Sequence, residues 1–182
     1  MTQSGKRSDK HRRGLILINT GNGKGKTTAA IGTACRALSH GMRVAVIQFI
    51  KDERPIGERK ILERIDNLTW LAMGRGCTVH RSATSDDVIA ARGTWDKARE
   101  FLHDETVDLL ILDEILYAIG LKFVSAAEVC DELTKRSFNQ HVILTGRGAP
   151  AELIEVADQV TEMRSVKHPF DKGEKGYIGV DL

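Results

Sequence analysis

The chain has 182 residues, 29% of them charged and 41% hydrophobic, with a formal net charge of +2. That length suits one α/β domain around a single core, and the small net charge excludes a protein built to coat nucleic acid or an anionic membrane. No run approaches the roughly 18 apolar residues of a membrane span, and no apolar stretch follows the basic start as in a secretory signal, so a cytoplasmic protein is expected.

Lys6, Arg7, Lys10, Arg12 and Arg13 crowd the first thirteen residues, which read as a flexible basic tail (1–13) ahead of one domain over 14–182. Gly14–Asn19 is continuously apolar, as in a central parallel strand covered on both faces. It delivers Thr20-Gly21-Asn22-Gly23-Lys24-Gly25-Lys26-Thr27-Thr28, which has the composition of a phosphate-binding loop. Gly21, Gly23 and Gly25 let the backbone aim successive N–H groups at one point, and the next helix adds its positive end. Lys26 would meet phosphate oxygens and the Thr27 hydroxyl a magnesium ion. The strict pattern G-x-x-x-x-G-K-[ST] is missed only at its first position, where Thr20 stands.

A helix over Lys26–Ser39, rich in Ala and Gly, can lie close on a sheet, with Gly41 as its stop. Cys35 shares helical register with Ile31 and Leu38 and is expected in the core. The cysteines, Cys35, Cys77 and Cys130, are too scattered for a disulfide framework or a zinc site. Arg43–Ile50 is a second buried strand; Gln48 and Lys51 come at its carboxyl end, where open α/β sheets bind ligands. A short helix over Glu58–Ile65, a strand over Leu68–Met73 and a ligand-side loop, Cys77-Thr78-Val79-His80, follow. Thr84 or Ser85 with Asp86 and Asp87 opens a helix running to about His103, and Trp95 in it reads as packing.

Val107–Glu114 is an apolar strand ending in two carboxylates, Asp113 and Glu114, which beside a phosphate loop would bind magnesium directly or through water. Ser125 and Glu128 form a capping box for a helix to about Arg136, with Glu128 a cap. His141–Gly146 is a fifth strand, after which Arg147 places a guanidinium on the ligand side. Pro150 begins another helix, Gln159–Met163 is an additional strand, Lys167–Gly173 a turn-rich loop and Tyr177–Asp181 a short edge strand. Of the histidines, His80 and His168 fall in loops that can face the site.

These residues fit a magnesium–nucleotide enzyme or a nucleotide-driven switch, and do not choose the atom attacked. The loop Thr20–Thr28 with Ala29-Ala30, however, resembles that of the ATP:corrinoid adenosyltransferases. So do Val46–Lys51, Gly57-Glu58-Arg59, Leu112-Asp113-Glu114, Thr145-Gly146-Arg147-Gly148 and Val166–Gly173, in one order across residues 14–182. The resemblance implies a three-layer P-loop NTPase fold of RecA-like type with a mostly parallel central sheet. It implies transfer of the 5′-deoxyadenosyl group of Mg-ATP to the Co(I) centre of a reduced corrinoid, with triphosphate released. Also implied are a homodimer, a reductase or flavoprotein as electron donor, and a nucleotide bound in reverse orientation. Lys26 and Arg147 would then be catalytic cations. Gly21–Thr28, Lys51 and Arg147 would bind the nucleotide, and Thr27, Asp113 and Glu114 would hold magnesium. The chain departs from the family at Cys77–His80, where a Phe-Thr-Trp-Glu run is expected and Val79 replaces Trp, and in a short lead before the first strand. The other reading is a P-loop ATPase or switch in which Asp113 and Glu114 polarise water for a partner-stimulated hydrolysis.

Overall fold

Continuous apolar runs bury both faces of a strand, and four of them make the centre of one parallel sheet. The computed structural model describes residues 12–50, 57–74, 84–174 and 176–180. In chain order the elements are β1 (Ile16–Thr20), α1 (Lys26–Ser39), β2 (Val44–Gln48), α2 (Arg59–Leu62), β3 (Leu68–Ala72) and α3 (Ser85–Leu102). They continue with β4 (Leu109–Asp113), α4 (Ile115–Gly120), α5 (Ala126–Lys135), β5 (His141–Thr145), α6 (Ala151–Val156) and β6 (Gln159–Glu162). The sheet has six strands in the order β3-β2-β4-β5-β1-β6, and every pairing is parallel.

Successive side chains alternate faces, so each strand feeds two cores, one on each side of the sheet, where a single core is expected from length alone. Ile16, Ile18, Ala45, Ile47, Leu110, Leu112, Val142 and Leu144 pack with Trp95 and Leu102 of α3 and Val129 and Leu133 of α5. On the other face Val44, Val46, Leu109, Ile111 and Ile143 meet Ala30, Ile31, Ala34 and Ala37 of α1 and Leu62 of α2. The result is the expected three-layer α/β fold. Because all strands run one way, Thr20, Gln48, Asp113 and Thr145 end together at one edge, and the site is built there.

Several expectations change. Cys35 is exposed, because it lies about 100° around the helix from Ala34 and away from the buried stripe of α1. Tyr177–Val180 forms a turn closed by the Val180 N–H on the Tyr177 carbonyl (3.2 Å), not an edge strand. Lys167–Gly173, by contrast, turns as expected, through a 3-10 segment at Pro169–Lys172. Between Glu114 and Ser125, where no element is expected, the chain makes α4.

Ser125 caps α5 as expected, accepting from the Glu128 N–H at 3.1 Å. The Glu128 carboxylate turns elsewhere: it takes both ends of the Arg92 guanidinium (2.8 and 3.0 Å) and the Nε1–H of fully buried Trp95 (2.8 Å). The complete capping box is instead at α3, where Thr84 and Asp87 bond reciprocally. Glu128 thus ties α5 to α3. Arg92, and after it Trp95, hold its carboxyl below the usual carboxylate range against the opposing effect of burial.

Glu128→Gln should lower stability at pH 7 by about 1 kcal/mol, a charge-assisted bond discounted for its partial exposure. Since the folded-state pKa is depressed, the wild-type advantage is complete above the unfolded value, about 4.3, and fades as pH falls through the folded one. Urea unfolding at pH 7 and pH 3 checks this; an equal deficit at both would assign the loss to packing.

Candidate active site

The loop after β1 is shaped as much by protein as by any ligand. Gly21 (φ +94°) and Gly25 (φ +110°) adopt backbone conformations that side chains disfavour. Gly23 is there for closeness: its N–H donates to the Met163 carbonyl at 2.6 Å, and a Cβ on it would lie 2.7 Å from the Arg164 carbonyl carbon. The chain leaving β6 therefore runs directly against the loop. Thr20, the residue that breaks the strict motif, has work of its own: its carbonyl accepts from the Met163 N–H (2.8 Å) and its hydroxyl from the Ala149 N–H (3.3 Å).

Lys26 opens α1 and is only 8% exposed. Its Nζ donates to the carbonyls of Gly21 (2.9 Å) and Gly23 (2.7 Å). Burial lowers its pKa, with nearby Arg147 adding to the effect and Glu114 opposing it. Thr27 Oγ1 donates to Asp113 Oδ1 at 2.7 Å, the Thr145 hydroxyl donates to the same oxygen at 2.8 Å, and Gln48 Nε2 donates to Asp113 Oδ2 at 2.8 Å. Gln48 is itself held through Oε1 by Trp70 Nε1–H (3.0 Å).

The two carboxylates predicted as a pair take different positions. Asp113 is wholly buried, whereas Glu114 turns through the left-handed region (φ 62°) and lines the cavity, its N–H donating to Thr145 Oγ1 at 2.9 Å. That cavity has a volume of about 580 Å³. Lys24–Thr28 form one wall, Glu114 another, and Gly57, Glu58 and Ile61 face them at the start of α2. Gly179 and Val180 close one side, the Lys24 ammonium donating to the Val180 carbonyl at 2.7 Å.

Of the predicted site residues, Lys24, Gly25, Lys26, Thr27, Thr28 and Glu114 are brought together at this cavity. Gly21, Asn22 and Gly23 belong to the same loop but not to the lining, and Asp113 reaches the site through its bond to Thr27. Arg147 is exposed and outside the lining, though close enough to act on the charge of Lys26. His168 is half-buried and accepts from the Phe170 N–H through Nδ1 (3.1 Å). Lys51 and Cys77-Thr78-Val79-His80 fall outside the described residues. Sequence reasoning missed Thr145, Trp70, Ile61 and Val180. Only Thr145 carries a local signal, a hydroxyl ending an apolar strand.

The donors suit magnesium. Thr27 and Glu114 offer hard oxygens in one cavity, and magnesium needs only one or two such protein ligands beside phosphate and water. Among the described residues, no three His, Cys, Asp or Glu side chains gather as a site for a metal ion. No helix there is long and apolar enough to cross a membrane.

Gly23→Ala should cost about 1–3 kcal/mol, the range of an overpacked contact, because the added carbon would push the loop off Met163 and Arg164. Thermal unfolding and ATP titration measure the effect together. Unchanged values of both would show that the close approach constrains nothing.

The family model described as "ATP:corrinoid adenosyltransferase BtuR/CobO/CobP" matches residues 12–182. The corrinoid adenosyltransferase of Escherichia coli (strain K12) is 44% identical over 169 residues, spanning 93% of this chain and 86% of that protein. Corrinoid adenosyltransferase CobA of Salmonella typhimurium is 42% identical over the same shares, and the Pseudomonas aeruginosa corrinoid adenosyltransferase 40% identical over 93% and 84%. Among solved structures, the flagellar accessory protein FlaH from Methanocaldococcus jannaschii superposes with a TM-score of 0.57 at 14% identity, covering 83% of this chain and 71% of that one. This last likeness concerns the fold alone. A match over nearly the whole chain, with relatives above 40% identity, means that the chain belongs to the ATP:corrinoid adenosyltransferase BtuR/CobO/CobP family.

Proposed function

We propose that the cavity holds Mg-ATP with its triphosphate along Lys24–Thr28, and that the chain transfers the 5′-deoxyadenosyl group to the Co(I) centre of a reduced corrinoid. The observation that carries this reading is one cavity in which Lys26, Thr27 and Glu114 meet in a chain of this family. The cobalt lone pair forms the cobalt–carbon bond at C5′ and cobalt rises formally from +1 to +3. The C5′–O bond breaks, its electron pair leaving with triphosphate. No proton has to be removed from the nucleophile, so the residues are needed for charge and position rather than as a general base.

In this reading the loop N–H groups and Lys26 stabilise the departing charge, Arg147 adds a second cation, and Gly21–Gly25, Thr27, Thr28 and Lys51 bind the phosphates. Thr27 and Glu114 would hold magnesium, and Asp113 would fix the Thr27 hydroxyl through its 2.7 Å bond. When bound, the metal neutralises charge on the leaving group. We further propose a single P-loop domain over 14–182 behind a basic tail, acting in the cytoplasm as a homodimer with a reductase or flavoprotein as electron donor. Exposed Val166 (91%) and Phe170 (75%) offer apolar surface for a partner.

Incubation with Mg-ATP and chemically reduced corrinoid should yield a light-sensitive adenosylated product and triphosphate. ADP and phosphate without a cobalt–carbon bond would replace this reading with an ATPase. Lys26→Ala should lower kcat/KM by about 10²–10³, as loss of one preorganised donor does, while the visible spectrum still reports corrinoid binding. Near-normal turnover would contradict its role.

A further inference from the structure

Two large aliphatic side chains stand in water on the rim of the nucleotide cavity. Ile61 of α2 is 73% exposed and Val180 is 76% exposed, and both line that cavity from stretches far apart in the chain. Neither belongs to either hydrophobic core. Both are nonetheless held in place. Leu62, the next residue to Ile61, is buried and anchors α2 to the sheet. Val180 is fastened at its carbonyl by Lys24 (2.7 Å) and at its N–H by Tyr177 (3.2 Å). Single exposed aliphatic side chains are common on a protein surface, but two that share the edge of one cavity offer apolar surface to whatever the cavity binds.

The volume decides which ligand. About 580 Å³ suits one nucleotide, and a corrin macrocycle with its peripheral groups does not fit beside it. The second substrate must then meet C5′ from the rim. Polarity divides the same way: Lys26, Thr27 and Glu114, buried or half-buried, line the part where a triphosphate belongs, and Ile61 and Val180 are exposed. We propose that Ile61 and Val180 form an apolar platform that binds the face of the corrin ring at the cavity mouth. This inference rests on the adenosyl-transfer reading above.

The test uses the full-length chain with Mg-ATP and cobalamin reduced chemically to Co(I), comparing wild type with Ile61→Ser, Val180→Ser and the double variant. The double variant should raise the cobalamin KM about tenfold or more, the effect of uncovering two aliphatic side chains. Its ATP KM should stay within about twofold, and kcat at saturating cobalamin should be retained. The conservative pair Ile61→Val and Val180→Ile should keep near wild-type values. Because both side chains are exposed, unfolding temperature should not move. A raised ATP KM with an unchanged cobalamin KM would give the platform to adenine and overturn the proposal. Unchanged values for both substrates would overturn it as well. Wild type that forms no cobalt–carbon bond would sink the adenosyl-transfer reading and the platform with it, whereas wild-type turnover with indifferent variants sinks the platform alone.

Discussion

A carboxylate removed from water must be surrounded by donors, and the site is arranged around meeting that demand at Asp113. Gln48 at the end of β2, Thr145 at the end of β5 and Thr27 in the first turn of α1 all donate to it. Two neighbouring strands and the loop-bearing helix are thereby locked to the end of β4. The energy of the individual bonds matters less than the penalty of breaking one, since Gln48 and Thr145 would be stranded in a buried place and Asp113 would lose a partner for its buried charge. Trp70 extends the lock by one strand through Gln48. The height of Thr27 above the sheet, and with it the cavity wall, follows from this one side chain.

The second constraint comes from the opposite side of the loop. β6 is exposed along its length, yet the residues just beyond it press on Gly21 and Gly23 so closely that no side chain fits. Glycine in a phosphate loop is usually read as access for the ligand. Here part of the requirement is access for Met163 and Arg164, and Thr20 belongs to the same contact. The departure from the strict motif is a place where the protein bonds to itself.

Much of this was legible in the sequence because burial on both faces writes continuous apolar runs. The strands from Ile16, Val44, Leu109 and His141 were readable for that reason, and α1 was readable from its alanines. Position on a helix was less so: Cys35 satisfied the i, i+4 spacing from Ile31 and still missed the stripe that the sheet covers. Glu128 fitted a capping box, but a tryptophan and an arginine on another helix competed for its carboxylate, and no local pattern records such partners. Tyr177–Val180 had strand-like composition, yet Gly179 at φ +82° and the Val180 N–H close a turn. Ile61 and Val180 were invisible because a rim is a property of two segments brought together only by the fold.

Glu114 has a further consequence. It occupies a left-handed backbone conformation (φ 62°, ψ 23°) at the turn from β4 into α4, where glycine would be at ease. A side chain there carries roughly 1–2 kcal/mol of strain. The turn is steadied by the Thr145 oxygen on its N–H. If stability alone governed this position it would hold glycine; keeping an acid there sacrifices conformational ease for a carboxylate in the cavity. A variant pool sorted for thermal robustness would accordingly drift toward glycine at 114, and one sorted for turnover would not.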